Sequence, residues 1–181
     1  MVNIFILDIE NTVIDDLVNR NFMEDNCDRI KQFIHEEEID NVGIVTFFTW
    51  GWKTEDEIDD NLISVMLDRL DIPKEKRPFP GNILVKEDSV NAAINAGWLS
   101  EEDRERALFP GMMGEFGISK ISCFFEQVSN NVTEKVLNDF KASPVNPLHF
   151  WLIDDMVDKF DELTWHGGRL VVSVINPKEL V

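Results

Sequence analysis

The chain has 181 residues, 44% of them hydrophobic, and a formal net charge of −18 at pH 7. That length suits one domain with room for a small insertion, and the apolar content builds a sizeable core, which excludes wholesale disorder. So acidic a field repels nucleic-acid backbones and anionic membranes, favours cations, and leaves a protein partner, or imitation of DNA, as the macromolecular option.

The first predicted element is the apolar run Ile4 to Leu7, which reads as a fully buried strand. It stops at Asp8, Glu10, Asn11 and Thr12, residues that either cap and turn the chain for local reasons or put chemistry at a strand end. The run is too short, and too soon interrupted by Asp8, for a signal peptide, and no stretch approaches the ~20 apolar residues that span a bilayer. The expectation is a soluble, cytoplasmic protein. Cys27 and Cys123 read as free buried thiols, and His35, His149 and His166 stand at no zinc-ligand spacing from them.

Helical spacing of Phe22, Met23, Cys27, Ile30, Phe33 and Ile34 predicts a helix over roughly Asn19 to His35. Val42 to Phe48, rich in β-branched and aromatic residues, predicts a second strand that stops at Thr49-Trp50-Gly51. Strand, helix and strand at this spacing form a βαβ unit with parallel strands, so Asp8 and Thr49 are expected at one edge of the sheet.

Residues 51–118 read as an inserted, mostly helical region. Thr54 to Glu57 is a capping box for a helix carrying Ile58, Leu62, Val65, Met66 and Leu70, ended by Ile72-Pro73. A helix from about Asp88 to Gly97 follows, then one capped by Ser100 that ends before Pro110-Gly111. Thereafter Ile121 to Phe125 predicts a third strand, an Asn131 to Glu134 capping box opens a helix through Phe140, and His149 to Ile153 predicts a fourth strand ending in Asp154-Asp155. Met156, Val157, Phe160 and Leu163 predict a further helix, and Leu170 to Ile175 a fifth strand. This alternation argues for an α/β fold, a doubly wound parallel sheet with helices on both faces, built from residues 1–50 and 119–181.

Three strand ends then carry polar residues at one edge: Asp8 with Glu10, Thr49, and Asp154 with Asp155. Carboxylates brought together repel unless a proton or cation intervenes, and hard oxygen donors suit Mg²⁺, which would let an anionic substrate enter an acidic protein. These residues point to Mg²⁺-dependent phosphoryl chemistry.

The ordered set resembles the haloacid dehalogenase superfamily of phosphohydrolases. An apolar strand followed by DIENT matches its first motif, FFTWG at Thr49 its second (Thr46 being a weaker candidate), and FWLIDDMVD its fourth. For the third, a lysine, Lys135 is best placed, with Lys120 and Lys141 as the other candidates. The resemblance implies a Rossmann-like core with a small inserted cap over residues 51–118. It implies Asp8 as nucleophile, the residue two later as proton donor and base, and Thr49 and Lys135 on phosphate oxygens. Mg²⁺ would be held by Asp8, the main-chain carbonyl of Glu10, and Asp154 or Asp155, and the substrate would be a small phosphomonoester. One departure stands out: the second Asp of the first motif is Glu10 here. One extra methylene moves the proton-transfer oxygen by about 1.5 Å, and a misplacement of 1 Å can cost on the order of 100-fold in rate. Glu10 therefore opens the alternative of a catalytically weak or silent member that binds a macromolecular partner through its acidic surface.

Overall fold

The computed structural model describes residues 2–16, 18–45, 62–77 and 83–180. Thr46, Thr49, Trp50, Trp52 and the Thr54–Glu57 capping box lie outside them.

In chain order the regular elements are β1 (Val2–Leu7), α1 (Glu24–Glu36), β2 (Asn41–Val45), α2 (Leu62–Arg69), β3 (Ile83–Leu84), α3 (Lys86–Asn95), α4 (Arg104–Ala107), α5 (Met112–Glu115), α6 (Lys120–Asn131), α7 (Glu134–Asp139), β4 (Leu148–Ile153), β5 (Asp161–Trp165) and β6 (Leu170–Ile175). The strands form one sheet in the order β3-β2-β1-β4-β6-β5. All neighbours are parallel except β5, which runs antiparallel to β6 at the edge. The fold is thus α/β with a mostly parallel sheet. The chain works outward from β1 to β3, then returns to place β4 on the other side of β1. The carboxyl ends of β1 and β4 therefore diverge into the crevice where open α/β sheets bind ligands.

Alternation along the strands splits the core into two layers, because successive side chains of a strand face opposite sides. Phe5 and Leu7 pack with Ile30 of α1 and with Ile63, Met66 and Leu67 of α2. Ile6 packs on the other face with Phe124 and Val128 of α6, Leu152 and Val172. A third cluster, with Val90, Ala93, Leu99, Met113 and Ile118, leans on Cys123 of α6. The region expected as an insertion is therefore partly woven into the sheet's own layers: α2 belongs to the first core layer, and β3 pairs with β2. Residues 86–118 form the remaining helical annex.

Local chemistry accounts for the helix ends. α3 closes at Ala96, followed by Gly97 at φ 75°, with Gly97 N–H on the Ile94 carbonyl and Trp98 N–H on the Ala93 carbonyl. That bond pair satisfies the last orphan carbonyls and needs a residue tolerant of positive φ, as anticipated for Gly97. Ser119 caps α6, its Oγ accepting from Ser122 N–H at 3.0 Å.

Two expectations are corrected. Ile121 to Phe125 is not a strand but the first half of α6. The buried residues Cys123, Phe124, Gln127 and Val128 recur at helical spacing past the apolar run, and a run this short does not distinguish the two states. The third strand is the two-residue β3. Nor do Met156 to Leu163 form a helix. Met156 and Phe160 are exposed, so their spacing marks no buried face, and pairing with β6 draws Asp161–Trp165 into β5. Among the described residues, no helix is long and apolar enough to cross a membrane.

Candidate active site

The carboxyl ends of the two central strands set the site's geometry. Leu7 pairs with Ile153 as the last register pair of β1 and β4. Asp8 N–H then donates to the Ile153 carbonyl at 3.0 Å, and Asp154 N–H to the Ile175 carbonyl at 3.2 Å. Each aspartate is thus the first residue beyond its strand, on neighbouring strands, and each is buried, Asp8 at 3% exposure and Asp154 at 0%.

Lys120, the first residue of α6, reaches between them. Its Nζ lies 2.6 Å from Asp8 Oδ1 and 2.8 Å from Asp154 Oδ2. A lysine in the first helical turn opposes the helix dipole, so local preference does not put it there. Two buried carboxylates do.

Thr12 locks the arrangement from the other side. The loop after β1 folds back through Val13 N–H on the Ile9 carbonyl, with Asn11 at φ 56°. This leaves Thr12 fully buried, its hydroxyl donating to Asp8 Oδ2 at 3.1 Å and accepting from Asp155 N–H at 3.1 Å. One side chain therefore ties the β1 end to the β4 end. Asn26 of α1 holds the Thr12 carbonyl at 3.0 Å, while Asn176 Nδ2 donates to the Asp155 and Val157 carbonyls. Asp154 Oδ1 accepts from Met156 N–H at 2.8 Å.

The electrostatics follow from burial. Loss of water pushes the Asp8 carboxyl up to about 7; the Lys120 ammonium pulls it down, and the Asp154 carboxylate adds to the rise. Burial works to lower the Lys120 ammonium, but Asp8 and Asp154 outweigh it and hold it above its ordinary value. Burial, with Asp154 beside it, also raises Asp155.

Carboxylate oxygens of Asp8, Asp154 and Asp155 lie within 4.8 Å of one another. Three acids thus face one ammonium among the described residues. Such a set offers hard oxygen donors and an excess of negative charge, which fits a divalent cation of the Mg²⁺ type. An acidic cluster alone is common, so the fit rests on the burial of Asp8 and Asp154 and on their sharing the Lys120 ammonium.

The structure brings Asp8, Asp154 and Asp155 together. Glu10 is exposed and lines the cavity that opens beside Asp8. Lys135 sits exposed on α7, and the lysine at the cluster is Lys120. Thr49 lies outside the described residues. The bridging role of Thr12 was not anticipated; its position four residues after Asp8, inside a turn, was the signal available. The cavity has a volume of about 510 Å³ and is also lined by Asn11, Gly114, Gly117, Ile118 and Met156. A groove of about 610 Å³ at the opposite end of β1, beside Val2 and Phe150, has Asp40 as its single charged lining residue among those described. That groove is the larger of the two, but the titratable groups assemble at the smaller cavity, where a chemical step needs them.

No protein-family model, curated protein or solved structure matches this chain.

Proposed function

We propose that the chain is a Mg²⁺-dependent phosphatase or phosphotransferase acting on a small phosphomonoester through an aspartyl-phosphate, as its resemblance to the haloacid dehalogenase phosphohydrolases implies. The observation that carries this reading is the ammonium of Lys120 seated between Asp8 and Asp154 at the crevice between β1 and β4. A buried carboxylate next to a fixed cation and an open cavity is the arrangement that covalent phosphoryl transfer needs.

In this reading an Asp8 carboxylate oxygen attacks phosphorus, the ester bond to the leaving oxygen breaks, and Glu10 protonates that oxygen. A water molecule deprotonated by Glu10 then attacks phosphorus, releasing inorganic phosphate and restoring the Asp8 carboxylate. Lys120 replaces Lys135 as the residue that holds a phosphate oxygen, and Thr49 keeps its proposed place there. Thr12 holds Asp8 Oδ2 and so limits how the carboxylate can turn. Bound by Asp8, Asp154, Asp155 and the Glu10 carbonyl, Mg²⁺ would neutralise charge on the phosphoryl oxygens.

Purified protein with Mg²⁺ should turn over members of a broad phosphomonoester panel, and Asp8→Asn should lower kcat by about 10³-fold or more. Mg²⁺ should also raise the wild-type Tm, and much less so in Asp154→Asn/Asp155→Asn; equal shifts would remove the basis for the cation site. A second reading, a catalytically silent protein that binds a macromolecule through its acidic surface, is favoured by Glu10, exposed at the cavity and one methylene longer than the family's Asp. No Mg²⁺-dependent turnover by wild type, together with activity created by Glu10→Asp, would select it.

A further inference from the structure

We infer that the site takes an aromatic phosphomonoester whose leaving group carries no second anionic group. This rests on the phosphomonoester reading and adds the leaving group to it.

The cavity supplies the chemistry. At about 510 Å³ it lies in the range that encloses a whole small molecule, so a phosphoryl group alone leaves room for its alcohol. Its charged lining is mostly acidic, with Glu10 and Asp155 beside Asp8. Among the described lining residues the one cation is Lys120, already engaged by two carboxylates. A second phosphate or carboxylate on the substrate would meet Glu10 and Asp155 with no further cationic side chain among the described lining residues to offset them.

Hydroxyl-rich leaving groups find few partners as well. The wall formed by residues 111–118 offers its backbone, and the N–H groups of Gly117 and Ile118 there are spent. Gly117 N–H bonds the Gly114 carbonyl at 2.8 Å, and Ile118 N–H bonds the Met113 carbonyl at 2.9 Å. Ser119 Oγ is held by Ser122 N–H at 3.0 Å and by Ser122 Oγ at 2.8 Å. Among the described lining residues Asn11 is the remaining neutral polar side chain. A polyol bound here would leave hydroxyls unpaired, which is how a site discriminates most strongly against polar groups.

A planar ring suits what remains. Gly114 and Gly117 present peptide planes without side chains, and a Cβ built on Gly114 meets nothing within 4 Å. Ile118 and Ile121 add apolar surface. Met156, 70% exposed yet part of the lining, supplies a flexible thioether that packs well against aromatic edges.

The test compares phenyl phosphate, 4-carboxyphenyl phosphate, a hexose 6-phosphate and methyl phosphate on the full chain with Mg²⁺. Calorimetric titration of the same compounds into Asp8→Asn reads binding without turnover. Phenyl phosphate should exceed the carboxylated analogue and the hexose phosphate by at least tenfold in kcat/KM and in affinity. In Gly114→Leu, whose φ is compatible with a side chain, the ratio of kcat/KM for phenyl over methyl phosphate should fall about tenfold. Turnover without preference for phenyl phosphate overturns the inference and leaves the phosphatase reading standing. Failure to turn over any ester overturns that reading. In that case preferential binding of phenyl phosphate by Asp8→Asn still supports the aromatic pocket, and equal or absent binding overturns it too.

Discussion

At the carboxyl ends of β1 and β4, Asp8, Lys120 and Asp154 bury three ionisable side chains. Across β4, β6 and β5, by contrast, the buried polar groups form a hydrogen-bonded chain with no buried formal charge. His149 Nε2 lies 2.8 Å from Ser173 Oγ, and Ser173 Oγ donates to Glu162 Oε2 at 3.2 Å. Because the serine proton goes to Glu162, its oxygen accepts from His149, which assigns the imidazole proton to Nε2. The ring stacks on Trp151 with centroids 4.2 Å apart, and burial lowers His149 and favours its neutral form. Both sets lie against the sheet, but one buries only neutral groups and passes its hydrogen bonds out to the exposed Glu162, while the other holds more acid than base beside an open cavity. A satisfied neutral chain rigidifies a fold, whereas an uncompensated charged cluster costs stability that a purely structural role does not explain. The contrast separates scaffold from site without reference to any relative.

The largest break in that contrast is Lys120→Met. It leaves Asp8 and Asp154 buried and facing each other without their ammonium, and removing one partner of a buried ionic group costs about 3–5 kcal/mol. At roughly 2–4 °C per kcal/mol for a chain of this size, Tm should fall by roughly 6–20 °C at neutral pH. Acid should return part of it, since a proton taken up between the carboxylates replaces the lost cation and the folded state then binds protons more tightly than the unfolded one. Urea unfolding of wild type and variant at two pH values measures this, and curves that coincide at neutral pH would show that the lysine carries no such burden.

Thr12→Val and Ser173→Ala form the next pair. Each removes a buried hydroxyl that both donates and accepts, so each should cost about 1–3 kcal/mol in unfolding experiments. They should part in kinetics. Loss of Thr12 frees Asp8 Oδ2 and unties Asp155, and should lower kcat/KM by about 10–100-fold. Loss of Ser173 should leave kcat/KM within about twofold, because nothing in its chain touches the cavity. If both variants lost activity alike, the division between scaffold and site would fail.

How far all of this was legible in the sequence depended on whether local and tertiary preferences agreed. Asp8 and Asp154-Asp155 were readable because apolar runs ended at them, and parallel strands bring such ends to one edge. Lys120 was harder. The run that follows it, ISCFF, suits strand and helix equally; read as a strand, it left Lys120 outside any helix, so Lys135, in the helix before the fourth predicted strand, looked better placed. What fixes Lys120 is a contact with two residues 112 and 34 positions away in the chain, Asp8 and Asp154, which no local window contains. β3 is only two residues long and leaves no periodic trace. β5 was misread because Met156, Val157, Phe160 and Leu163 imitate a helical stripe, although all but Val157 are exposed. Its polar sequence DELTW is a strand through its ladder with β6, which is a tertiary fact.

The smallest expected effect concerns the neutral chain and fixes its sign. Burial holds His149 below its ordinary value of 6.5, so the unfolded state takes up a proton at a higher pH than the folded state does. Between those two values the unfolded chain binds more protons, and stability therefore rises with pH through that window and is lost as the pH falls below about 6.5. Asp8 works in the opposite direction, since its raised carboxyl makes the folded state the better proton acceptor between its ordinary value of 3.8 and about 7. The two contributions overlap in wild type, and only a difference curve separates them. His149→Gln keeps a donor for Ser173 Oγ but cannot titrate. Subtracting its stability profile from that of wild type between pH 5 and 8 should leave a curve that climbs with pH and flattens above about 7. A difference that is flat, or that falls with pH, would mean that His149 is not held neutral by its burial, and the second cluster would then be no scaffold but a charged site in its own right.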